Sequence, residues 1–208
     1  MTDPAEQTPE TRSRNQVWIL TGVFFAPLLL AFFLYYGTGG WRPAGSTNHG
    51  ELIDPPRPLP EVELTSAAGT KLDRLALKGK WTLVYIGDGA CDEGCREALT
   101  LIRQTRLALN DDLTRVQRLF LATGHCCDRR YLDGQHAGLI TAKADDLGGQ
   151  KLLGAFPDSA ASARLGRIYI VDPLGNLMMY YPPPSLDPAA NRGLLEDLKK
   201  LLKLSHVG

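Results

Sequence analysis

The chain has 208 residues, of which 44% are hydrophobic and 22% charged, a composition typical of a folded domain rather than a disordered chain. This length suffices for one domain with appendages. The 23 basic and 23 acidic residues cancel to a formal charge of zero. Because nucleic-acid binding draws on an excess of positive charge, this balance disfavours a nucleic-acid partner.

The first predicted element follows an N-terminal tail of residues 1–16 and is an uncharged apolar run at Val17–Tyr36. As a helix rising about 1.5 Å per residue, this run spans roughly 30 Å, the thickness of the hydrocarbon layer of a bilayer. A cleaved signal peptide is the alternative, but its apolar region covers only about 7 to 15 residues and ends at small residues. Here the run ends in Tyr35 and Tyr36, so we predict an uncleaved transmembrane anchor at residues 17–36.

Basic residues near the anchor indicate its orientation. Arg12 and Arg14 precede the run, whereas Arg42 is the only basic residue close behind it. The positive-inside rule then predicts a cytoplasmic tail and an exported C-terminal domain. Residues 37–60 are rich in glycine and proline, which predicts a semi-extended tether with neither helix nor strand.

Residues 61–208 have the pattern of one α/β domain. A short hairpin is expected around Ala68 and Gly69. The continuous apolar run Trp81–Ile86 predicts a central strand buried on both faces, with a helix after it. Further along the chain we expect a strand at Leu119–Ala122, a hairpin of Ile168–Val171 and Leu177–Tyr181, and an amphipathic helix carrying Leu194, Leu198 and Leu202. This order predicts a central sheet with helices on both faces.

Candidate chemistry begins with Cys91 and Cys95, in the loop between the central strand and its helix. Their spacing lets both sulfurs face one side of the first helical turn, whose partial positive charge stabilises thiolates. Asp92 and Glu93 oppose this effect with negative charge. The pair is therefore a candidate redox site or a ligand pair for a soft cation such as Cu(I), and a structural disulfide or two idle cysteines remain alternatives.

Together with the anchor and tether, three segments resemble the Sco/SenC family of cytochrome c oxidase assembly proteins: Gly79–Cys95, a strand at Gln117–Thr123 and Arg167–Asn176. The resemblance covers about Leu59 to Leu204. It implies a thioredoxin-like fold and copper as a cofactor, with Cys91 and Cys95 as the metal-binding and redox pair. The implied partner is a cytochrome c oxidase subunit or another assembly factor.

The sequence departs from the family at the distal copper ligand, a histidine shortly before the late strand. The corresponding residues 156–167 contain no histidine. A replacement is available in His125, Cys126 and Cys127, which follow the second central strand and should leave the same edge of a parallel sheet as the first cysteine pair. With Cys91 and Cys95 they would form a Cu(I) site or a pair of exchangeable disulfides. The alternative is that Cys126 and Cys127 are ordinary loop residues, with or without a disulfide from one of them to Cys91 or Cys95.

Two other histidines are expected to be unremarkable in chemistry. His49 lies in the predicted tether, where we expect a solvated linker side chain. His136 follows a run of polar residues and is expected in a surface loop.

The sequence thus predicts a single-pass protein of a bacterial-type inner membrane, with a thioredoxin-like domain on the periplasmic side that assists oxidase assembly. It would act by delivering copper or by reducing the thiols of the copper site. A general thiol:disulfide oxidoreductase, with Cys91 as nucleophile and Cys95 as resolving thiol, is one alternative. A scaffold with neither activity is the other. The missing histidine favours redox chemistry or scaffolding, whereas the added cysteines favour metal.

Overall fold

The protein is described by a computed structural model at residues 9–37, 48–124, 126–157, 166–184 and 188–205. The chain divides into two compact units, residues 1–46 and residues 47–208.

The described residues of the first unit, 9–37, form one long helical segment. Helix α1 (Pro9–Phe32) continues into a π-helical turn at Phe33–Gly37. Its stretch Asn15–Gly37 is 23 residues long and apolar enough to cross a membrane, and no part of it is buried by protein. Large apolar side chains such as Phe24 are exposed, as expected of a surface that lipid covers. Among the described residues this is the one candidate transmembrane helix, in agreement with the sequence prediction.

The second unit is a mixed sheet with helices on both faces. Its strands are β1 (Glu51–Pro58), β2 (Leu64–Thr65), β3 (Lys71–Leu72), β4 (Trp81–Asp88), β5 (Val116–Thr123), β6 (Leu139–Lys143), β7 (Ile168–Val171) and β8 (Asn176–Tyr181). Its α-helices are α2 (Glu93–Leu107), α3 (Arg129–Gln135), α4 (Leu147–Leu153) and α5 (Pro188–Leu204), and a 3₁₀ helix covers Asn110–Arg115.

Six strands form the main sheet in the order β1-β8-β7-β4-β5-β6, while β2 and β3 form a separate hairpin. Strands β4, β5 and β6 are parallel, and the pairs β4–β7, β7–β8 and β8–β1 are antiparallel. The predicted α/β fold is confirmed, including the hairpins, the central strands and the final helix. Strand β6 and the short helices α3 and α4 were not predicted.

Alternation along the central strands builds two cores. On β4, Trp81, Leu83 and Tyr85 face one core, and Val84 and Ile86 face the other. Helices α2 and α5 cover the first face, whose core includes Cys91 and Cys95, with residues such as Leu99 and Leu198. Because both faces are covered, the strand reads as one continuous apolar run in the sequence.

The predicted tether is wrong in its second half, where β1 forms an edge strand. Glu51 and Leu52 pair with β8, and after an irregularity in register Arg57 and Pro58 pair with it again. A proline lacks the backbone N–H that a central strand needs, but an edge strand has one unpaired side and tolerates it. The proline-rich composition therefore conceals a strand.

The side chain of His49 is half-exposed, as expected of a solvated residue, but His49 also contacts helix α5, which the sequence did not predict. Its backbone N–H donates to the Asp197 carboxylate at 2.7 Å, and its ring nitrogen Nδ1 lies 3.3 Å from the same group. Asp197 is 1% exposed and also accepts from Gly50 N–H and the Tyr181 hydroxyl, both at 3.0 Å. A buried carboxylate on α5 thus fixes the residues that precede β1.

His136 does not lie on the surface as expected but is buried, with 2% exposure, at the end of α3. Its Nε2 is 2.9 Å from the Tyr131 hydroxyl. Burial lowers the pKa of His136, and the charges of Arg118 and Arg103 lower it further. The ring is therefore held neutral among cationic neighbours.

Candidate redox site

The first cysteine pair is a buried disulfide at the end of the central strand. Cys91 and Cys95 are bonded to each other, with their Cα atoms 5.0 Å apart, and are 1% and 2% exposed. Cys91 has a φ of 50°, in the left-handed region that residues other than glycine seldom occupy. Backbone strain of this kind is common where a loop holds a reactive group in place.

Helix α2 begins between the two cysteines of this disulfide. Asp92 is its N-cap, because its side chain accepts a hydrogen bond from the Cys95 backbone N–H at 3.0 Å. Cys95 therefore lies in the first helical turn, where unpaired N–H groups carry partial positive charge and stabilise a thiolate. Asp92 has a double effect: its cap stabilises the helix, and its charge opposes the thiolate.

The loop after β5 lies beside the loop after β4. The two strands are parallel neighbours in register from Trp81↔Val116 to Asp88↔Thr123, so both loops leave one edge of the sheet, as predicted. Gly89 N–H donates to the Thr123 carbonyl at 2.8 Å, and Asp128 N–H donates to the Gly89 carbonyl at 3.0 Å. Backbone hydrogen bonds thus connect the loops on both sides of the second cysteine pair.

That second pair consists of Cys126 and Cys127, which are bonded to each other. Both are half-buried and pack against the core that contains Cys91 and Cys95. The alternative in which one of them bonds to Cys91 or Cys95 is not what the structure has. All four cysteines of the chain are in disulfides. His125 lies outside the described residues, so its predicted part in a metal site stays a prediction.

Arg96 links the two loops and was missed by sequence reasoning. Its Nε donates to the Cys91 carbonyl at 3.2 Å, and its Nη2 lies 3.6 Å from the Asp128 carboxylate. The guanidinium also lies over the Tyr131 ring, 4.8 Å from its centroid. An arginine after a cysteine gives no signal by itself, because these partners come from a distant part of the chain.

One more ionisable group belongs to this end of the sheet. Tyr85, on β4, faces the same core as the two buried cysteines. Burial, followed by the charge of Asp92, raises the pKa of Tyr85 to about 12. Its hydroxyl therefore stays protonated at neutral pH and supplies no negative charge to the site.

With both cysteine pairs oxidised to disulfides, the site does not offer the ligands that copper needs. Cu(I) binds thiolates and imidazoles, and a disulfide supplies no thiolate. Across the described residues no three histidine, cysteine or acidic side chains are gathered to hold a metal ion. His49 and His136 contact Asp197 and Tyr131, respectively. Of residues 156–167, where the resemblance placed the distal ligand, residues 158–165 lie outside the described residues.

A strand-loop-helix unit with paired cysteines at the helix start, within a mixed sheet covered on both faces, defines a thioredoxin-like protein. The chain belongs to the family described as transmembrane-like, thioredoxin-like, C-terminal domain, whose model matches residues 81–205. No curated protein sequence matches the chain.

Solved structures of similar fold include Sco proteins. Apo Sco1 from Thermus thermophilus is 18% identical with a TM-score of 0.59, and the alignment covers 76% of this chain and 99% of that one. Copper-bound ScoI from Bradyrhizobium japonicum is 21% identical with a TM-score of 0.52, covering 69% and 99%. Copper-bound yeast Sco1 is 16% identical with a TM-score of 0.55, covering 76% and 95%. At these identities the likeness establishes the thioredoxin-like fold.

Proposed function

We propose that the protein is a membrane-anchored thiol:disulfide exchange protein whose redox-active pair is Cys91 and Cys95. The observation that carries this proposal is the disulfide between them at the N-terminus of α2, after a central strand. A helix start lowers the pKa of a thiol, and a thiol of lowered pKa is both a reactive nucleophile and a good leaving group.

In the reducing direction the dithiol form acts on a disulfide of the partner. The Cys91 thiolate attacks one partner sulfur, forms a mixed disulfide and releases the other partner sulfur as a thiolate. The Cys95 thiolate then attacks Cys91, which restores the Cys91–Cys95 disulfide and releases the second partner thiol. Two electrons pass to the partner, and the cysteines return to the state that the structure contains.

The proposed partner is a cytochrome c oxidase subunit with a cysteine-containing copper site, or another factor of oxidase assembly. The family-like pattern at Gly79–Cys95 and the shared fold with Sco proteins support this choice. The proposed location is a bacterial-type inner membrane, with the domain on the periplasmic side. Two disulfides in one domain accord with an oxidising compartment.

Copper binding is the second candidate function. The observation that favours it is the adjacency of the two cysteine-containing loops, joined by the hydrogen bond from Asp128 to Gly89. Full reduction would convert both disulfides into four thiols on neighbouring loops, and thiolates suit Cu(I). Anaerobic titration of the fully reduced protein with Cu(I), with sulfur ligation read by X-ray absorption, tests this candidate directly.

The redox proposal is tested with reduced full-length protein in detergent. It is mixed with the oxidised copper domain of a cytochrome c oxidase subunit, and the thiols that appear on that domain are counted. We expect the wild type to reduce that domain, and the Cys91→Ser/Cys95→Ser variant, which keeps only Cys126 and Cys127, to deliver two electrons fewer per molecule. Reduction of an unrelated protein disulfide alone would favour a general oxidoreductase, and reduction of neither substrate would leave a scaffold.

A further inference from the structure

The two disulfides of the domain differ in their exposure to solvent. Cys91 and Cys95 are 1% and 2% exposed in the oxidised form that the structure contains, so in this form a partner thiol has almost no surface through which to reach their sulfurs. Cys126 and Cys127 are half-buried, on the neighbouring loop. An in-line attack on a disulfide requires access to the sulfur, so the second pair is the more accessible to an external thiol.

The two pairs are also held close to each other. Cys126 and Cys127 pack against the core to which Cys91 and Cys95 belong. Their loop is bonded to the first loop by Gly89 N–H to Thr123 on one side and by Asp128 N–H to Gly89 on the other. Arg96 adds a third link, since it contacts both the Cys91 carbonyl and the Asp128 carboxylate.

Basic residues lie near Cys126 and Cys127 in the sequence and in the structure. Arg129 and Arg130 follow Cys127 after the acidic residue Asp128 and are exposed, and Arg96 lies 3.6 Å from the Asp128 carboxylate. Cations near a cysteine favour its thiolate, the form that attacks disulfides. The exposed pair is therefore suited to act as a nucleophile once it is reduced.

We infer that Cys126 and Cys127 form a second redox site, which accepts electrons from a dithiol of a partner protein and passes them to the buried Cys91–Cys95 disulfide. This inference rests on the proposed function, because it supplies the route by which the buried, oxidised Cys91–Cys95 pair is reduced again. The site takes a protein dithiol as its electron donor, and in the reverse direction a protein disulfide as acceptor.

The internal transfer is balanced in atoms and electrons. After the partner dithiol reduces Cys126–Cys127 and becomes a disulfide, one thiolate of this pair attacks a sulfur of the Cys91–Cys95 disulfide. The other sulfur of that disulfide leaves as a thiolate, and a mixed disulfide joins the two loops. The remaining thiol of Cys126 or Cys127 then loses its proton and attacks the sulfur of the adjacent cysteine, which is held in the mixed disulfide. This step restores Cys126–Cys127 and leaves Cys91 and Cys95 as the dithiol.

Kinetics of reduction test the relay in full-length oxidised protein in detergent. The reductants are a reduced protein dithiol of thioredoxin size and, separately, the small reductant tris(2-carboxyethyl)phosphine. Samples are quenched by alkylation and digested with trypsin, which separates the two pairs on peptides Trp81–Arg96 and Leu119–Arg129. In the wild type we expect alkylation of the second peptide to precede that of the first.

The decisive variant is Cys126→Ser/Cys127→Ser. Reduction of Cys91–Cys95 by the protein dithiol should become about tenfold slower or more, because the accessible site is lost. The Asp111→Asn variant, an exposed change in the 3₁₀ helix that keeps all four cysteines, is the control and should react at the wild-type rate. An unchanged rate in the double-serine variant would overturn the relay.

A trapping experiment keeps the inference testable if the double-serine variant does not fold. Variants that retain one cysteine in each loop, such as Cys95→Ser/Cys127→Ser, should form, when treated with the thiol oxidant diamide, a disulfide that links peptides Trp81–Arg96 and Leu119–Arg129. Absence of this link in all four such variants would also overturn the relay. The proposed function fails separately: it fails if Cys91–Cys95 does not equilibrate with a thiol buffer, whichever residues surround it.

Discussion

At the scale of single residues, Asp92 and Glu93 control the charge at the start of α2. Asp92 caps the helix through Cys95 N–H, and both side chains are exposed. We predict that Asp92→Asn/Glu93→Gln lowers the pKa of the reduced Cys91 thiol, because two negative charges are removed. Asparagine caps helices as well as aspartate does, so the helix is retained.

The measurement is the alkylation rate of the reduced protein against pH, read on peptide Trp81–Arg96. Glu97→Gln, an exposed change one turn further along α2, is the control and should shift the profile less. Coincident profiles for the wild type and the double amide variant, both at the value of a free thiol, would remove the electrostatic argument for Cys91.

His136 gives a pH dependence at the same scale. Burial and the nearby Arg118 and Arg103 charges lower its pKa in the folded protein. As the pH falls below about 6.5, His136 therefore binds a proton in the unfolded chain while the folded ring stays unprotonated. The free energy of unfolding should decrease between pH 7.5 and pH 5, and His136→Gln should weaken this decrease. Denaturant unfolding at each pH measures it, and equal slopes would contradict the assignment.

At the scale of elements, Asp197 connects α5 to the segment that leads into β1. The carboxylate is buried and accepts hydrogen bonds from His49, Gly50 and Tyr181. Gly193 allows the close approach, because a Cβ there would lie 2.5 Å from the Cβ of His49. The strand β1 is thus held by side-chain contacts as well as by its pairing with β8.

We predict that Asp197→Asn destabilises the domain by about 2 kcal/mol, because an amide nitrogen cannot accept these hydrogen bonds. Burial alone would raise the pKa of Asp197, but the hydrogen bonds from Gly50, His49 and Tyr181 outweigh it and lower the pKa. The stabilisation is therefore full above the ordinary aspartate pKa and is lost as the pH falls through the lower folded value.

The control for Asp197 is its neighbour Glu196, whose side chain is 57% exposed. Glu196→Gln should change the free energy of unfolding by less than about 0.5 kcal/mol, as surface substitutions usually do. Chemical denaturation of both variants at pH 7 separates the two residues, and equal losses would show that the buried network is not what holds β1.

Some of these elements were predictable from the sequence and others were not, for physical reasons. The continuous apolar run Trp81–Ile86 predicts β4, because both faces of that strand are buried. Strand β1 was hidden because prolines at a sheet edge cost little and read as a tether. Strand β6 was missed because Leu139–Lys143 is short and only partly buried. The spacing of Cys91 and Cys95 predicted their proximity, but the pairing of Cys126 with Cys127 and the contacts of Arg96 depend on tertiary structure.

At the scale of the whole molecule, the proposed function requires a membrane-bound chain with an exported domain. The stretch Asn15–Gly37 is long and apolar enough to span a bilayer. We predict that the full-length protein stays in the membrane fraction after alkaline extraction, and that a C-terminal reporter is active outside the cytoplasm. Release at alkaline pH, or a reporter active only in the cytoplasm, would contradict this topology.

The central claim is that Cys91–Cys95 is an exchangeable disulfide, and a redox titration tests it most directly. Full-length native protein is equilibrated with graded ratios of reduced to oxidised glutathione, alkylated, and assayed on peptide Trp81–Arg96. We predict that Cys91–Cys95 shows one reversible two-electron transition, with the same midpoint whether the titration starts from the oxidised or the reduced protein. If the pair stays oxidised at every ratio until the protein is denatured, it is a structural disulfide, and the proposed thiol:disulfide exchange at Cys91–Cys95 is contradicted.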